Sequence, residues 1–407
     1  MSNPSIPIAT PSHQIGYCTN VHAGRDLASV IQNIHRYCHP IRERVHPDTE
    51  LGIGLWFSED SARQALESDH LAPLRDLLQA CKLIPFTLNG FPQGDFHSQI
   101  VKHRVYEPTW WTTQRRDYTL SLVELLDQIL PPGLVGSIST LPISWGEPRP
   151  THEQLTTAAS HIVEIAQSLH QRFEKTGRMI TVAIEPEPGC YLTDSASFRA
   201  FYSQYLSAPF LSESDADTVR KYISLCHDVC HAAVMFEDQT IELTKLAHEA
   251  ISIGKTQVSS AIEVDWDKLS LSDKSLALEQ LSSFAEDRYL HQTVCKSAQS
   301  HSSQPLTTLI EDLPRALSTV ADPSQLSGCW RVHFHVPIYL DQIGYLRSTR
   351  SEIERFVDFM RSPHANKPKF TGHFEIETYA WEVAPKAIRV GDLVEGIAHE
   401  HDRTLAI

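Results

Sequence analysis

Two glutamates close the short apolar run "ITVAIEPE" (180–187), and period-two alternation in a strand sets Glu185 and Glu187 on one face with Ala183. A second run, "YISLCHD" (222–228), ends on Asp228, with His231 three residues on. Near the C-terminus "GHFEIETYA" (372–380) alternates His373, Glu375 and Glu377 with Phe374 and Ile376. "WRVHFHVPIY" (330–339) spaces His333 and His335 two apart, and "SIGKTQVSSA" (252–261) carries Gln257. A buried carboxylate is costly unless it is paired or bound to a cation. Three or four carboxylates converging with two or three imidazoles have the composition of a divalent-metal site. Oxygen donors dominate with a minority of nitrogen, which suits Mn²⁺, Mg²⁺ or Co²⁺ and admits Zn²⁺. The expected ligands of one such ion are Glu185, Asp228, His231, Gln257, His333, His335 and Glu377. Taken singly, each is better explained as a structural residue paired with Lys255, Arg331 or another basic group. Their recurrence at the ends of successive apolar runs favours the metal.

The elements that would hold these residues follow one rhythm. Apolar runs at 15–20, 51–57, 83–90, 133–140, 180–187, 222–228, 252–261 and 372–380 alternate with stretches of helical period such as "HEQLTTAASHIVEIAQSLHQRF". Eight strands, each followed by a helix, predict a (β/α)8 TIM barrel, in which chemistry sits at the C-terminal strand ends. A doubly wound open sheet is disfavoured, because no Gly-rich phosphate loop follows the first strand. Residues 262–329 are too long for a simple connection after strand seven, and they predict an excursion folding back over the barrel mouth as a lid. The proline-rich start (1–12) reads as a loose tail, and 13–407 as a single domain.

Composition narrows the function classes. The chain has 407 residues, 41% hydrophobic and 21% charged, which suits a soluble protein with a large core. A net charge of −15 repels phosphate backbones, so nucleic acid is not an expected partner. No apolar run is long enough to span a bilayer, and the first residues lack the features of a secretory signal. Eight cysteines scattered over a long chain read as reduced thiols in a cytoplasmic protein. Cys226 and Cys230 flank Asp228 in "CHDVCH" but have no partner pair at zinc-finger spacing, so Cys226 reads as a core residue and Cys230 as helix packing.

Other residues fall where substrate would lie. "NGFPQGDFH" (89–97) follows strand three, and Asp95 and His97 could reach substrate hydroxyls; a turn capped by Asn89 explains the segment equally well. Trp145, with Trp56 and Trp381, stands at or beyond a strand end, where an aromatic wall would meet a sugar ring. With Glu187 and Glu375 these are the expected substrate contacts. A lone His22 after strand one is better read as core or surface.

The quoted segments resemble the xylose isomerase-like barrel superfamily, which includes sugar epimerases and type IV apurinic endonucleases. "AIEPEPG" resembles its strand-five Glu-Pro segment, "HDVCH" its Asp-x-x-His element and "EIET" its final Glu-Thr. The resemblance implies metal-ligand roles for Glu185, Asp228, His231 and Glu377. "GYCTNVHAG", "FTLNGFPQGDFH", "GSISTLPISW", "HFHVP" and "HFEIETYAW" together resemble the metabolite traffic protein EboE family. That resemblance implies an operon link to secondary-metabolite export and contact with a prenyltransferase-like membrane protein. Two departures stand out. Gln257 replaces the usual strand-seven His, for which His335 could substitute, and Glu187 stands where xylose isomerases carry a catalytic Lys. The expected function is a metal-dependent isomerase or epimerase of a sugar, sugar phosphate or cyclitol, with Glu185 and Glu377 removing and returning a proton. The alternative is a non-catalytic carrier working with the membrane partner.

Overall fold

The computed structural model describes residues 15–208, 210–297, 306–363 and 365–405; the tail expected at 1–12 lies outside them. Seven barrel strands come first in the chain: β1 (Ile15–Cys18), β2 (Leu51–Trp56), β3 (Leu83–Gly90), β4 (Gly136–Thr140), β5 (Ile180–Ile184), β6 (Ile223–Asp228) and β7 (Ile253–Val258). An insertion supplies β8 (Ile262–Asp265), β9 (Thr293–Lys296), β10 (Thr307–Ile310), β11 (Cys329–Val332), β12 (Gln342–Ile343) and β13 (Leu346–Ser348). The barrel then closes with β14 (Phe374–Ile376). Its strands run in the order β1-β14-β7-β6-β5-β4-β3-β2, paired in parallel all the way round. This is the expected (β/α)8 barrel, and its closure leaves no sheet edge.

Local chemistry accounts for the elements. The β2 and β3 runs are buried at every position, as parallel strands covered on both faces require. The helix His152–Thr176 opens with a reciprocal capping box between Thr151 and Gln154 and stops at Gly177, whose φ of 71° suits a residue without Cβ. It buries Leu155, Ala158, Ala159, Ile162 and Val163, the i, i+3, i+4 stripe that faces the strands. Gly54 in β2 leaves room for a neighbour inside the barrel, since a Cβ there would lie 1.5 Å from Glu375 Oε1.

The insertion is more than a loop. Its strands form a second, antiparallel sheet in the order β10-β9-β11-β8-β13-β12. The sheet therefore runs past residue 329 to Ser348, because "WRVHFHVPIY" supplies β11, which pairs with both β8 and β9. Trp266, Phe284, Val332 and Phe334 of the insertion share an apolar cluster with Trp56, Phe96 and Tyr379 from the barrel mouth. β14 is shorter than the run 372–380 because the chain turns into a 3-10 helix at Tyr379–Glu382. No helix among the described residues is long and apolar enough to cross a membrane.

Candidate metal centre

A cavity of roughly 490 Å³, counting the part open to solvent, sits at the C-terminal mouth of the barrel. Its lining includes Glu185, Glu187, His231, His333, His335 and Glu377, brought together from β5, β6, the insertion and β14. Oxygens of Glu185, Asp228 and Glu377 lie within 4.8 Å of one another, and all three residues are buried. Asp228 ends β6 and caps the helix Val229–Val234, accepting from the His231 amide at 2.9 Å and from Ser259 Oγ at 2.7 Å. This N-cap fixes Asp228 and His231 together. Glu377 Oε1 accepts from the Asn20 and Asn89 amides at 2.7 and 2.8 Å, which orients the carboxylate. Among the described residues the one side-chain hydrogen bond to the Glu185 carboxylate comes from the Cys226 thiol, at 3.5 Å.

Burial, then repulsion from Glu377 and Asp228, raises the Glu185 carboxyl well above its ordinary value. Glu377 is raised likewise by burial and by Asp228 and Glu375. Asp228 is displaced the other way. Burial opposes its charge, but His231, His335 and the His231 amide outweigh it and hold the carboxyl low.

The histidines are oriented by carbonyl oxygens. His231 Nδ1 lies 2.8 Å from Pro186 O, His335 Nδ1 2.7 Å from Glu377 O, and His333 Nδ1 2.7 Å from Gln292 Oε1. The Gln292 amide orientation is set by its nitrogen, which donates to Glu187 Oε1 at 2.9 Å. Carbonyl oxygens only accept, so each neutral ring carries its proton on Nδ1 and presents a bare Nε2. His231 Nε2 and His333 Nε2 nevertheless face each other at 3.1 Å. Two bare lone pairs at that distance repel unless a proton or a cation lies between them. Burial and the neighbouring His231 hold the His333 imidazole well below its ordinary value, and burial brings His335 down to about 4.

Glu187 forms the outer wall with His231 and His333 and accepts from Tyr106 Oη at 2.7 Å. Burial raises its carboxyl, offset in part by His231 and by its hydrogen bonds from Tyr106 and Gln292. Gln257 is level with Asp228 on one side and Glu375 on the other.

Four of the expected substrate contacts fall elsewhere. Glu375 points inside the barrel, where Lys255 Nζ sits 2.7 Å from Oε2 with both side chains fully buried, so it is a core ion pair. Asp95 is exposed and accepts from the His97 amide, closing a turn. His97 packs against Trp56 and holds the Asn20 carbonyl at 2.7 Å, so it reaches the site only through Asn20. Trp145 lies behind Tyr106, ring centres 4.9 Å apart, and does not line the cavity. Trp56 and Trp381 are likewise packed into apolar clusters, and His22 stacks on Tyr37 at 4.2 Å. His373, on the Glu375 face, bonds Ser137 Oγ.

Other contributors were not singled out from the sequence. Asn20 and Tyr106 lie in short 3-10 helices and Gln292 just before β9, outside the barrel strands, and only the fold brings them to Glu377 and Glu187. Cys230 reads as helix packing in the sequence, yet its thiol lies within 4.8 Å of ring nitrogens of His333 and His335, and "CHDVCH" held that signal. Glu400, fully buried on the last helix, accepts from Thr378 Oγ1 at 2.6 Å and from the Ile338 amide at 3.1 Å. It thereby ties together the segments that follow Glu377 and His335. All eight cysteines are free.

The donor set fits a divalent cation. Asp228 Oδ2, His335 Nε2 and both polar atoms of the Gln257 side chain are buried without a hydrogen-bond partner. Buried polar atoms are ordinarily satisfied, so Asp228 Oδ2 and His335 Nε2, 3.8 Å apart beside Glu185 and Glu377, match the coordination chemistry of Mn²⁺, Mg²⁺, Co²⁺ or Zn²⁺.

No family model and no curated protein matches the chain. Solved structures with a similar course include the probable 3-DHS dehydratase AsbF from Bacillus anthracis, at 11% identity and TM-score 0.46, covering 96% of this chain and 98% of that one. A xylose isomerase domain containing protein from Salmonella typhimurium aligns at 11% identity and TM-score 0.43, over 97% of both chains. A xylose isomerase-like TIM barrel protein from Mycobacterium smegmatis, in complex with magnesium, aligns at 10% identity and TM-score 0.42, over 72% of this chain and 92% of that one. These scores are low, and the barrel assignment rests on the chain's own strand pairing.

Proposed function

We propose that the barrel mouth is a divalent-metal centre and that the protein isomerises or epimerises a sugar-like or cyclitol carbonyl compound. One observation carries the reading. Glu185, Asp228 and Glu377 converge within 4.8 Å in a buried site, and no lysine or arginine among the described residues is ion-paired with any of them. Asp228, Glu185 and Glu377 would hold one cation, with Gln257 and His335 completing its shell. The close approach of His231 and His333, beside Glu187, supports a second position next to the first.

When bound, the cation polarises the substrate carbonyl and makes the neighbouring C–H acidic. Glu185 and Glu377 stand three strands apart around the ring, so they address the reacting carbon from different sides. Glu185, hydrogen-bonded among the described side chains by a thiol alone, is the freer carboxylate and takes the proton. Glu377, held by two amides, returns one from the other side. The EboE resemblance adds a place in secondary-metabolite biosynthesis or traffic.

The test has two parts. Metal analysis of the purified chain should find one to two divalent ions, and Asp228→Asn should lose most of them, because an amide gives up the charge that attracts a dication. Incubation of the Mn²⁺-loaded protein with D-fructose or an inosose in D₂O should place deuterium beside the carbonyl. Glu185→Gln should abolish that incorporation, while Glu377→Gln should abolish net epimerisation and leave slow exchange on the face served by Glu185. A metal-free protein that exchanges no hydrogen would favour the carrier.

A further inference from the structure

Beyond the charged floor the cavity changes character. Its outer part is built from Phe91, Phe96, Val101, Tyr289, Leu290 and Tyr379. Phe96, Tyr289 and Tyr379 form a closed set of rings, with centroids 5.0 to 5.4 Å apart. The loop after β3 is fixed against the insertion here, since the Val101 and Lys102 amides both donate to the Arg288 carbonyl at 2.8 and 2.9 Å. The result is a formed apolar roof above the reacting floor.

Lys102 is the one lysine or arginine among the described residues lining the cavity. Its ammonium is engaged by Asp312 Oδ2 at 2.6 Å and lies 3.5 Å from the Glu286 carbonyl, so it is not available to a substrate anion. Glu187 stands at the boundary between floor and roof, and the chain as a whole carries −15. A phosphate or carboxylate at the far end of a substrate would meet aromatic rings, a carboxyl and an occupied lysine. A single neutral donor such as the Tyr379 hydroxyl would leave most of the anion's desolvation uncompensated. An aryl or alkyl group there would instead bury apolar surface against three rings.

We infer that the substrate is uncharged: a polyol or keto sugar whose hydroxyl-bearing end meets the floor and whose far end carries an aryl or alkyl substituent. Sugar phosphates are excluded. The inference rests on the proposed reading of the same site, which assigns the floor to the reacting end.

Calorimetric titration of the full chain loaded with Mn²⁺ tests it, with phenyl β-D-glucopyranoside, D-glucose and D-glucose 6-phosphate as probes. The phenyl glucoside should bind roughly tenfold tighter than glucose or better, the gain expected from burying one aromatic ring. Glucose 6-phosphate should bind no tighter than glucose. Val101→Thr puts a hydroxyl where the aryl group would pack and should shrink the ratio of phenyl glucoside to glucose affinity, with the urea midpoint of the variant checking that the fold is kept. Tighter binding of the phosphate, or no phenyl advantage, overturns the inference. The same titrations after EDTA treatment separate the two claims. A phenyl preference in a chain that never bound metal would leave the roof standing and sink the metal centre. Bound metal with a preference for phosphate would do the reverse.

Discussion

Glu400 offers a quantitative test of how the site is held together. Burial raises its carboxyl from 4.5 to about 7, with the hydrogen bonds from Thr378 and the Ile338 amide acting against that rise. An acid whose folded value is raised binds its proton more tightly in the folded state. Stability therefore falls as pH climbs from 4.5 to about 7 and levels off above that. At 1.36 kcal/mol per pH unit the full loss is about 3 kcal/mol. Glu400→Gln removes the ionisation while keeping an oxygen to accept from Thr378 and Ile338. Its amide nitrogen would face the Trp381 indole N–H, now 3.4 Å from Oε2, at a cost of about 1 kcal/mol at every pH. The variant should thus be less stable than wild type by about 1 kcal/mol at pH 4 and more stable by about 2 kcal/mol at pH 8. Urea unfolding followed by tryptophan fluorescence across this range measures the difference directly, and titrations common to both proteins cancel. Parallel profiles, or a wild type that gains relative stability toward pH 8, would refute the reasoning.

Two further outcomes are expected. Lys255→Met should destabilise the fold by about 3–5 kcal/mol by leaving Glu375 charged and alone in the barrel. Lys255→Met with Glu375→Gln should recover part of the loss in thermal unfolding. If the insertion acts as a lid, amide hydrogens of β9 and β11 should exchange faster than those of β5 and slow when Mn²⁺ is added, because His333 and His335 directly follow β11. Exchange as slow as in β5 and indifferent to metal would make it a fixed insert.

The barrel was legible because parallel strands buried on both faces leave near-continuous apolar runs, and each expected run except the last maps closely onto an observed strand. The insertion was legible as an interruption but not as a sheet. β9 and β10 have no marked alternation, and β11 was visible only as an apolar run without a known partner. Among the site residues, strand-end periodicity brings out those carried by the backbone register itself: Glu185, Asp228 and Glu377 converge as their spacing implied. It fails for Glu375, because alternation names the face of a strand but not the depth at which a side chain sits. It fails for His97 and Trp145 because both lie outside the barrel strands, where strand alternation sets no direction, and they pack against Asn20 and Tyr106.

Depth along β14 is where the electrostatics of the site divide. Glu375 and Glu377 are two residues apart on one face of the same strand. The lower one meets Lys255 at 2.7 Å, and the full burial of both side chains shows that the barrel interior tolerates a carboxylate once a cation is built in. One layer higher, Glu377 joins Glu185 and Asp228, and the side chains that approach are amides, a thiol, a hydroxyl and imidazoles. Amides and hydroxyls orient a carboxylate but do not neutralise it, and the burial that raises Glu185 and Glu377 gives the measure of what is lacking. The fold had the means to place a lysine at this level, as it did one layer below. A layer of three converging acids without that lysine, ringed by imidazoles whose Nδ1 protons are already committed, is the arrangement expected where positive charge comes from a bound cation rather than from the chain.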